Sequence, residues 1–271
     1  MEPQTKEIRV VAGDILIMSI QSMALWKNSL WQTKNRKSAW DKNMWEIRSC
    51  EKNEECYPKA LRDIKSAPDI LYYVGDLSAC ENIVIAVVGK RDASERYLKI
   101  AKLFGGVLAQ KGVTVLNGLA IGVDAYASEG AVEAKGKVIA VMPGGLDEIY
   151  PKSNLKLAER IVENGGCLIS EYPCGTKPQK YTFVQRDRIQ AMLSNKVFIV
   201  DAEKDGGTMH TADYAVKYAK PLGCFVEENG AESPSGNQML VDSRKANAVS
   251  DTAALIEFIG QPEYSQMTLL G

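Results

Sequence analysis

From residue 83 onward the chain alternates short apolar runs with stretches whose apolar residues recur every three or four positions. Residues 83–88 (IVIAVV), 113–116 (VTVL), 138–142 (VIAVM), 167–169 (CLI) and 197–200 (VFIV) are unbroken and rich in Val and Ile. Runs of that length without alternation predict strands covered on both faces. Between the first two, Leu98, Ala101, Phe104 and Leu108 form a stripe at helical spacing. Gly105 and Gly106 interrupt it. Each costs about 1 kcal/mol against alanine in a helix interior, so their presence predicts close backbone packing. Asp124 stands where it can cap the next helix, and Ala125, Ala127, Ala131 and Ala134 give that helix a contact face of small residues. The alternation predicts an α/β fold: a parallel sheet with right-handed crossovers and helices on both faces. The polar stretch 227–236 reads as a surface loop. Leu255, Ile256, Phe258 and Ile259 predict a last helix, and residues 261–271 a loose tail.

Residues 1–55 have a different character. All four tryptophans, Trp26, Trp31, Trp40 and Trp45, lie here among Lys and Asn. They predict a small helical segment that packs its indoles on the main domain, residues 56–260, or on another chain. A stacking platform for bases is the alternative reading. The apolar stretch 8–20 is broken by Arg9, Gly13 and Asp14, which makes a poor signal peptide. A membrane-spanning helix needs about 20 nearly unbroken apolar residues, and no such run occurs, so a cytoplasmic location is expected. Thirty-three Lys and Arg balance 34 Asp and Glu, a net charge of −1. A basic coat for nucleic acid is excluded, and any polyanion site must be a local patch. The six cysteines, Cys50, Cys56, Cys80, Cys167, Cys174 and Cys224, include no CxxC pair, and His210 is the sole histidine. A zinc site or a disulfide framework is therefore not expected, and the cysteines read as small buried hydrophobes.

In a parallel sheet, ligands bind beyond the carboxyl ends of the strands. Four loops at those ends carry glycine or small polar groups: 89–92 (GKRD), 117–122 (NGLAIG), 143–145 (PGG) and 205–211 (DGGTMHT). Glycine lets a phosphate approach backbone N–H groups, and a helix N-terminus adds about half a positive charge. Four such loops predict a phosphate-binding edge. No GxGxxG follows the first strand, and no GxxxxGK[ST] or GxSxG occurs, so dinucleotide, P-loop and α/β-hydrolase chemistry are not expected. His210 within the last loop could contact a ligand or serve as a cap. Lys177, Lys180, Tyr181, Phe183, Arg186 and Arg188 interleave cations with aromatics, a composition that suits a phosphate chain with stacked bases. The alternative is a solvated face with Phe183 in the core.

Residues 57 to 259 carry an ordered motif set that resembles the DprA/Smf family of DNA-processing proteins. VGKR at 88–91 resembles the family's VGSR, and NGLAIGVD at 117–124 its SGLARGID. GLDEIYPKSN at 145–154 resembles GLDxxYPxxN, and FVQRDRIQAMLS at 183–194 resembles FPxRNRIIAGLS. SEYP at 170–173 with Gly175 and Thr176, and GGTMHTA at 206–212, complete the set. The resemblance implies an extended Rossmann-like fold, no catalysis and no cofactor. It implies binding of single-stranded DNA, a homodimer and help in loading a RecA-type recombinase during transformation. Carried over by position, Gly89, Lys90, Arg91, Gly118 and Lys180 would hold phosphate and Phe183 would stack a base. Gly206, Gly207, Thr208 and His210 would close the pocket, and Arg186 and Arg188 would join the DNA contacts or order the loop from within. Three positions depart from the pattern: Ile121 replaces an arginine, Asp187 an asparagine and Val184 a proline. The family's winged-helix extension is not expected in a chain that ends soon after Ile259.

Two other functions compete. The glycines at 206–207 and Asp213 partly match the PGGxGTxxE signature of LOG-type phosphoribohydrolases, with Asp213 as the acid. Alternatively, the same pocket would sense a small nucleotide, and Ile121 in place of arginine favours a smaller ligand.

Overall fold

A computed structural model describes residues 45–228 and 233–260. The sheet has nine strands: β1 (Arg48–Glu51), β2 (Ile70–Gly75), β3 (Val84–Gly89), β4 (Thr114–Asn117), β5 (Val138–Val141), β6 (Cys167–Ser170), β7 (Lys196–Asp201), β8 (Leu222–Phe225) and β9 (Asn247–Val249). Their order is β1-β2-β6-β5-β4-β3-β7-β8-β9. Every pair from β6 to β9 is parallel, whereas β2 runs antiparallel to both β6 and β1. The five apolar runs are the five central strands β3 to β7, each buried on both faces as expected.

Among the described residues eight α-helices accompany the strands: α1 (Lys59–Arg62), α2 (Glu95–Gln110), α3 (Val123–Glu133), α4 (Leu155–Glu163), α5 (Lys180–Leu193), α6 (Thr208–Lys217), α7 (Ser235–Asp242) and α8 (Thr252–Gly260). They divide the apolar interior into two layers. One packs Phe104, Leu108 and Ala127 on Ile85, Val87, Val115 and Phe198. The other packs Ile189, Met192 and Ala212 on Ala86, Val88, Leu116 and Ile199. The apolar stripe of α2 faces inward, with Ala101, Phe104 and Leu108 buried. A Cβ on Gly105 would lie 2.0 Å from the Ala127 carbonyl, and one on Gly130 1.9 Å from the Lys102 carbonyl. The expected close backbone contact is thus a reciprocal one between α2 and α3.

Several expectations need correction. Residues 48–51, placed with the N-terminal helical segment, are instead an edge strand paired with β2. Trp45 packs half-buried on the core. Residues 1–44, with the other three tryptophans, and the tail 261–271 lie outside the described residues. Asp124 is not an N-cap: Gly122 holds that place, and Asp124 is buried in the first turn of α3. The stretch read as a loop up to Gly236 gives way to α7 at Ser235, with Gly236 buried against Ala202. Cys50 and Cys56 form a disulfide with Cα atoms 6.3 Å apart, contrary to the reading of all six as unpaired hydrophobes. Cys80, Cys167 and Cys224 are buried and free as expected, and Cys174 is free but exposed. Among the described residues no helix is long and apolar enough to cross a membrane.

Candidate nucleic-acid interface

Strand order reverses between β3 and β7, because β4, β5 and β6 extend the sheet to one side and β8 and β9 to the other. The crossovers diverge there and leave a crevice beyond the carboxyl ends of the two strands. A register shift between Val88 and Gly89 bends β3 away from β7 at that point. The crevice has a volume of about 390 Å³ and is lined by the loops after β3, β4 and β7 and by one side of α5. Gly122, with φ of 84°, lets the N-terminus of α3 approach the loop after β3: a Cβ there would lie 2.4 Å from the Lys90 carbonyl. The Val123 N–H donates to that same carbonyl at 3.1 Å.

Of the residues expected to hold a ligand, Gly89, Lys90, Arg91, Phe183, Arg186, Gly206, Gly207, Thr208 and His210 line the crevice. Arg91 is exposed, and its guanidinium stands 5.1 Å from the centre of the Phe183 ring. Tyr150 meets the same ring edge-on with centroids 5.6 Å apart. These three side chains form a cation and aromatic wall at the mouth, where a smaller recess of about 70 Å³ runs between Gly118, Ile121 and Pro151. On the opposite side α6 begins. Its turn pairs the N–H groups of Met209 and His210 with the carbonyls of Gly206 and Gly207. Among the described residues nothing accepts from the N–H groups of Gly207 and Thr208, the orphan donors of a helix start.

Other expected contacts are used inside the protein. Lys90 donates to Glu203 at 2.5 Å and lies 3.8 Å from Asp92, and the bond to Glu203 holds its ammonium above the ordinary lysine range. The N–H of Gly118 is taken by Asp124 at 3.0 Å, so it is not offered to phosphate. Glycine is needed there for a different reason, since a Cβ would fall 1.1 Å from Nη1 of Arg186. Arg186 is itself only 6% exposed, its Nη1 3.4 Å from the Val141 carbonyl and its Nε 3.0 Å from Asp187. Arg188 lies away from the crevice and ties α5 to Glu171 at 2.7 Å and to the Ser66 carbonyl. Lys180 opens α5 as an exposed residue outside the crevice. The 143–145 loop is closed off: Gly144 and Gly145 are buried under residues 173–178, with Ser170 donating to the Gly144 carbonyl at 2.7 Å. Asp213 is exposed on α6 and does not line the crevice, so the acid expected of a phosphoribohydrolase is not in place.

The expected phosphate-binding edge is not uniformly positive. Lys90, Arg91 and Arg186 are opposed by four lining carboxylates, Asp92, Asp124, Asp187 and Glu203. Burial pushes Asp124 up to about 6, against the attraction of Arg186 and the N–H groups of Ala120 and Gly118. Burial likewise raises Asp187, while Arg186, His210 and Arg91 pull it down. The floor of the crevice is therefore a compensated network in which Gln190 also donates to Asp187 at 3.0 Å. Two contributors come from a motif to which no role was assigned. Tyr150 is brought to Phe183 by a loop some thirty residues away, and Asn154 of the same GLDEIYPKSN motif donates to the Leu119 carbonyl at 2.9 Å. That bond and one from the Leu119 N–H to Asn117, at 3.0 Å, hold Leu119 at φ of 51°.

A doubly wound, mostly parallel sheet with a cation, an aromatic ring and a helix N-terminus at its switch point defines a Rossmann-like protein. The chain belongs to the DNA recombination-mediator protein A family, whose model matches residues 49–260. Protein Smf of Escherichia coli is 35% identical over 185 residues, 67% of this chain and 50% of that protein. DNA processing protein DprA of Streptococcus pneumoniae is 36% identical over 170 residues, 62% of this chain and 59% of that protein. The chain thus spans about half the length of the curated relatives it matches. Among solved structures, DNA processing protein A from Helicobacter pylori, studied for its single-stranded DNA binding mode, superposes with a TM-score of 0.71. It is 30% identical and aligns over 79% of this chain and 95% of that one. The S. pneumoniae DprA structure gives a TM-score of 0.70 at 30% identity, over 78% of this chain and 74% of that one.

Proposed function

We propose that this chain binds single-stranded DNA along the β3–β7 crevice, without catalysing a reaction, and assists DNA processing in transformation. The reading extends to a cytoplasmic homodimer that passes the strand to a RecA-type recombinase. It is carried by one observation: Arg91 stands over Phe183 on one wall of the crevice, and the orphan N–H groups of α6 line the other. A base stacked on the ring would bring its phosphate within reach of the guanidinium and the helix start. Membership of the family, and the single-stranded DNA bound by the H. pylori relative, support the reading.

Few phosphates are neutralised in this account, because Lys90 and Arg186 already face carboxylates and Ile121 is apolar. Anisotropy of labelled oligo-dT over a salt series tests it. Log affinity should fall with log salt at a slope of about −0.7 per neutralised phosphate. Arg91→Ala and Lys180→Ala should each make the slope shallower by roughly one contact. Phe183→Ala should cost about 1–3 kcal/mol and leave the slope unchanged. Salt-independent binding, or affinity untouched by Arg91→Ala, would refute the proposal.

A second reading is favoured by the size of the crevice, about 390 Å³, since small-ligand sites begin at about 300 Å³. On that reading a mononucleotide is the ligand and His210 meets its phosphate. Mononucleotides would then compete with oligo-dT at comparable concentration.

A further inference from the structure

We propose that the loop after β1, once its disulfide is reduced, holds a soft divalent cation through Cys50, Glu54 and Cys56. The disulfide is then the oxidised, metal-free state of one site. This site is independent of the β3–β7 crevice: β1 is the sheet's edge strand, and β2, β6, β5 and β4 separate it from β3.

The donor set is already gathered. One ligand atom from each of the three residues lies within 4.8 Å of the other two. The Cys56 Sγ is 3.9 Å from Glu54 Oε2. A tetrahedral zinc ion, with Zn–S of about 2.3 Å and Zn–O of about 2.0 Å, sets a sulfur–oxygen edge of about 3.5 Å. The site therefore needs the parting of the two sulfurs, a few tenths of an ångström between Cys56 and Glu54, and at most about 1.3 Å between Cys50 and Glu54. Two thiolates with one carboxylate suit a borderline-soft ion and leave a fourth position open to water, on the side where Cys56 is exposed.

Both ends of the loop are anchored, so the donors are positioned before any ion arrives. Cys50 is fully buried on β1, opposite Leu71. Glu54 Oε2, the oxygen 3.9 Å from Cys56, accepts the Glu51 N–H at 2.6 Å, which fixes the carboxylate and leaves that oxygen a second lone pair for an ion. Tyr57, immediately after Cys56, is buried and donates to the Pro68 carbonyl at 2.5 Å. Arg62 donates to the Glu54 carbonyl at 2.8 Å and to that of Tyr57 at 3.1 Å. Lys52, the nearest cation in sequence, is committed to the Ile64 carbonyl at 2.8 Å.

The chemistry balances with an external dithiol. The Cys50–Cys56 bond takes up two electrons and two protons, and the dithiol loses them as it closes its own disulfide. The ion then displaces the two thiol protons. Cobalt(II) reports the site by its thiolate charge-transfer band. The full chain, reduced with a phosphine and desalted without oxygen, should bind one cobalt ion with that band and release two protons. Zinc should displace the cobalt. The oxidised chain should bind none. Cys56→Ser, at an exposed position, should lose most of the band, and Cys174→Ser, the other exposed cysteine, should leave it intact. Glu54→Gln should keep the band and weaken binding about tenfold or more, the least that loss of even an outer-shell partner costs. No band in the reduced wild type, or a band unchanged in Cys56→Ser, would overturn the proposal.

Discussion

Asp187 shows how one side chain can set the response of the whole crevice to pH. It is mostly buried beside Arg186 and raised by that burial, with His210 and Arg91 near enough to oppose the shift. A phosphate entering the crevice would disfavour the carboxylate further, so binding should take up a proton and tighten as pH falls. Asp187→Asn should strengthen oligo-dT binding at neutral pH about fivefold, the effect of removing roughly 1 kcal/mol of like-charge repulsion. It should also flatten the rise in affinity as pH falls. Asp124 makes a stability prediction instead. Its folded value of about 6 lies above its ordinary 3.8, because it is wholly buried. The folded state thus prefers the protonated acid, a contribution of about 3 kcal/mol that is fully present below 3.8 and lost as pH rises through about 6. Asp124→Asn can accept the same two N–H groups, so its urea midpoint should vary less between about pH 4 and pH 7 than the wild type's. At this scale the sequence was a partial guide. Arg91 and Phe183 stand where the motifs placed them, but Lys90 and Gly118 do not act as expected. Their partners, Glu203 and Arg186, come from segments about 113 and 68 positions away, and no local pattern announces such a pairing.

The α2–α3 contact turns an apparent flaw in helix composition into a requirement. Gly105 and Gly106 are adjacent and carry the same intrinsic penalty, yet their surroundings differ. A Cβ on Gly105 would collide with the Ala127 carbonyl at 2.0 Å, whereas the nearest atom to one on Gly106 is 3.5 Å away. Gly105→Ala should therefore destabilise the protein by about 1–3 kcal/mol through overpacking. Gly106→Ala should stabilise it by up to about 1 kcal/mol through helix propensity. Urea unfolding of the pair checks both signs at once, and equal effects would show that the contact does not constrain α2. Strands were legible where apolar residues run together, not simply where they are buried, since β8 is as buried as β4. Strands β3 to β7 are apolar without interruption, so they stood out. β1 buries only Cys50 and β2 only Leu71 and Val74, β8 carries Gly223 beneath Phe198 and Phe258, and β9 has only three residues. Such segments become strands because neighbours offer a ladder, which is tertiary information. The 143–145 loop misled for a related reason: its glycines admit a neighbouring chain segment, 173–178, rather than a ligand.

Over the whole molecule, a near-neutral chain is read here as binding a polyanion, so geometry has to do what net charge does not. Three lining cations face four carboxylates, which gives little general attraction. Arg91 at the mouth and Lys180 at the start of α5, both exposed and without an ion pair among the described residues, lie toward the outside of the crevice. A ligand confined to the crevice meets Arg91 but not Lys180, while one that continues past the mouth meets both. Ligand length should therefore separate the two functional readings. Anything that binds only the native state raises the melting temperature by an amount set by its concentration over its dissociation constant. Thermal shifts measured at equal nucleotide concentration, from a mononucleotide through oligo-dT of increasing length, should rise steeply once the chain is long enough to reach Lys180. The gain should shrink with added salt. In Lys180→Ala the longer oligonucleotides should lose that gain while the shift from the mononucleotide stays the same. If instead the mononucleotide alone gives the full shift and Lys180→Ala changes nothing, the crevice is a small-ligand site. The threaded-strand reading would then fail even though the fold and the family stand.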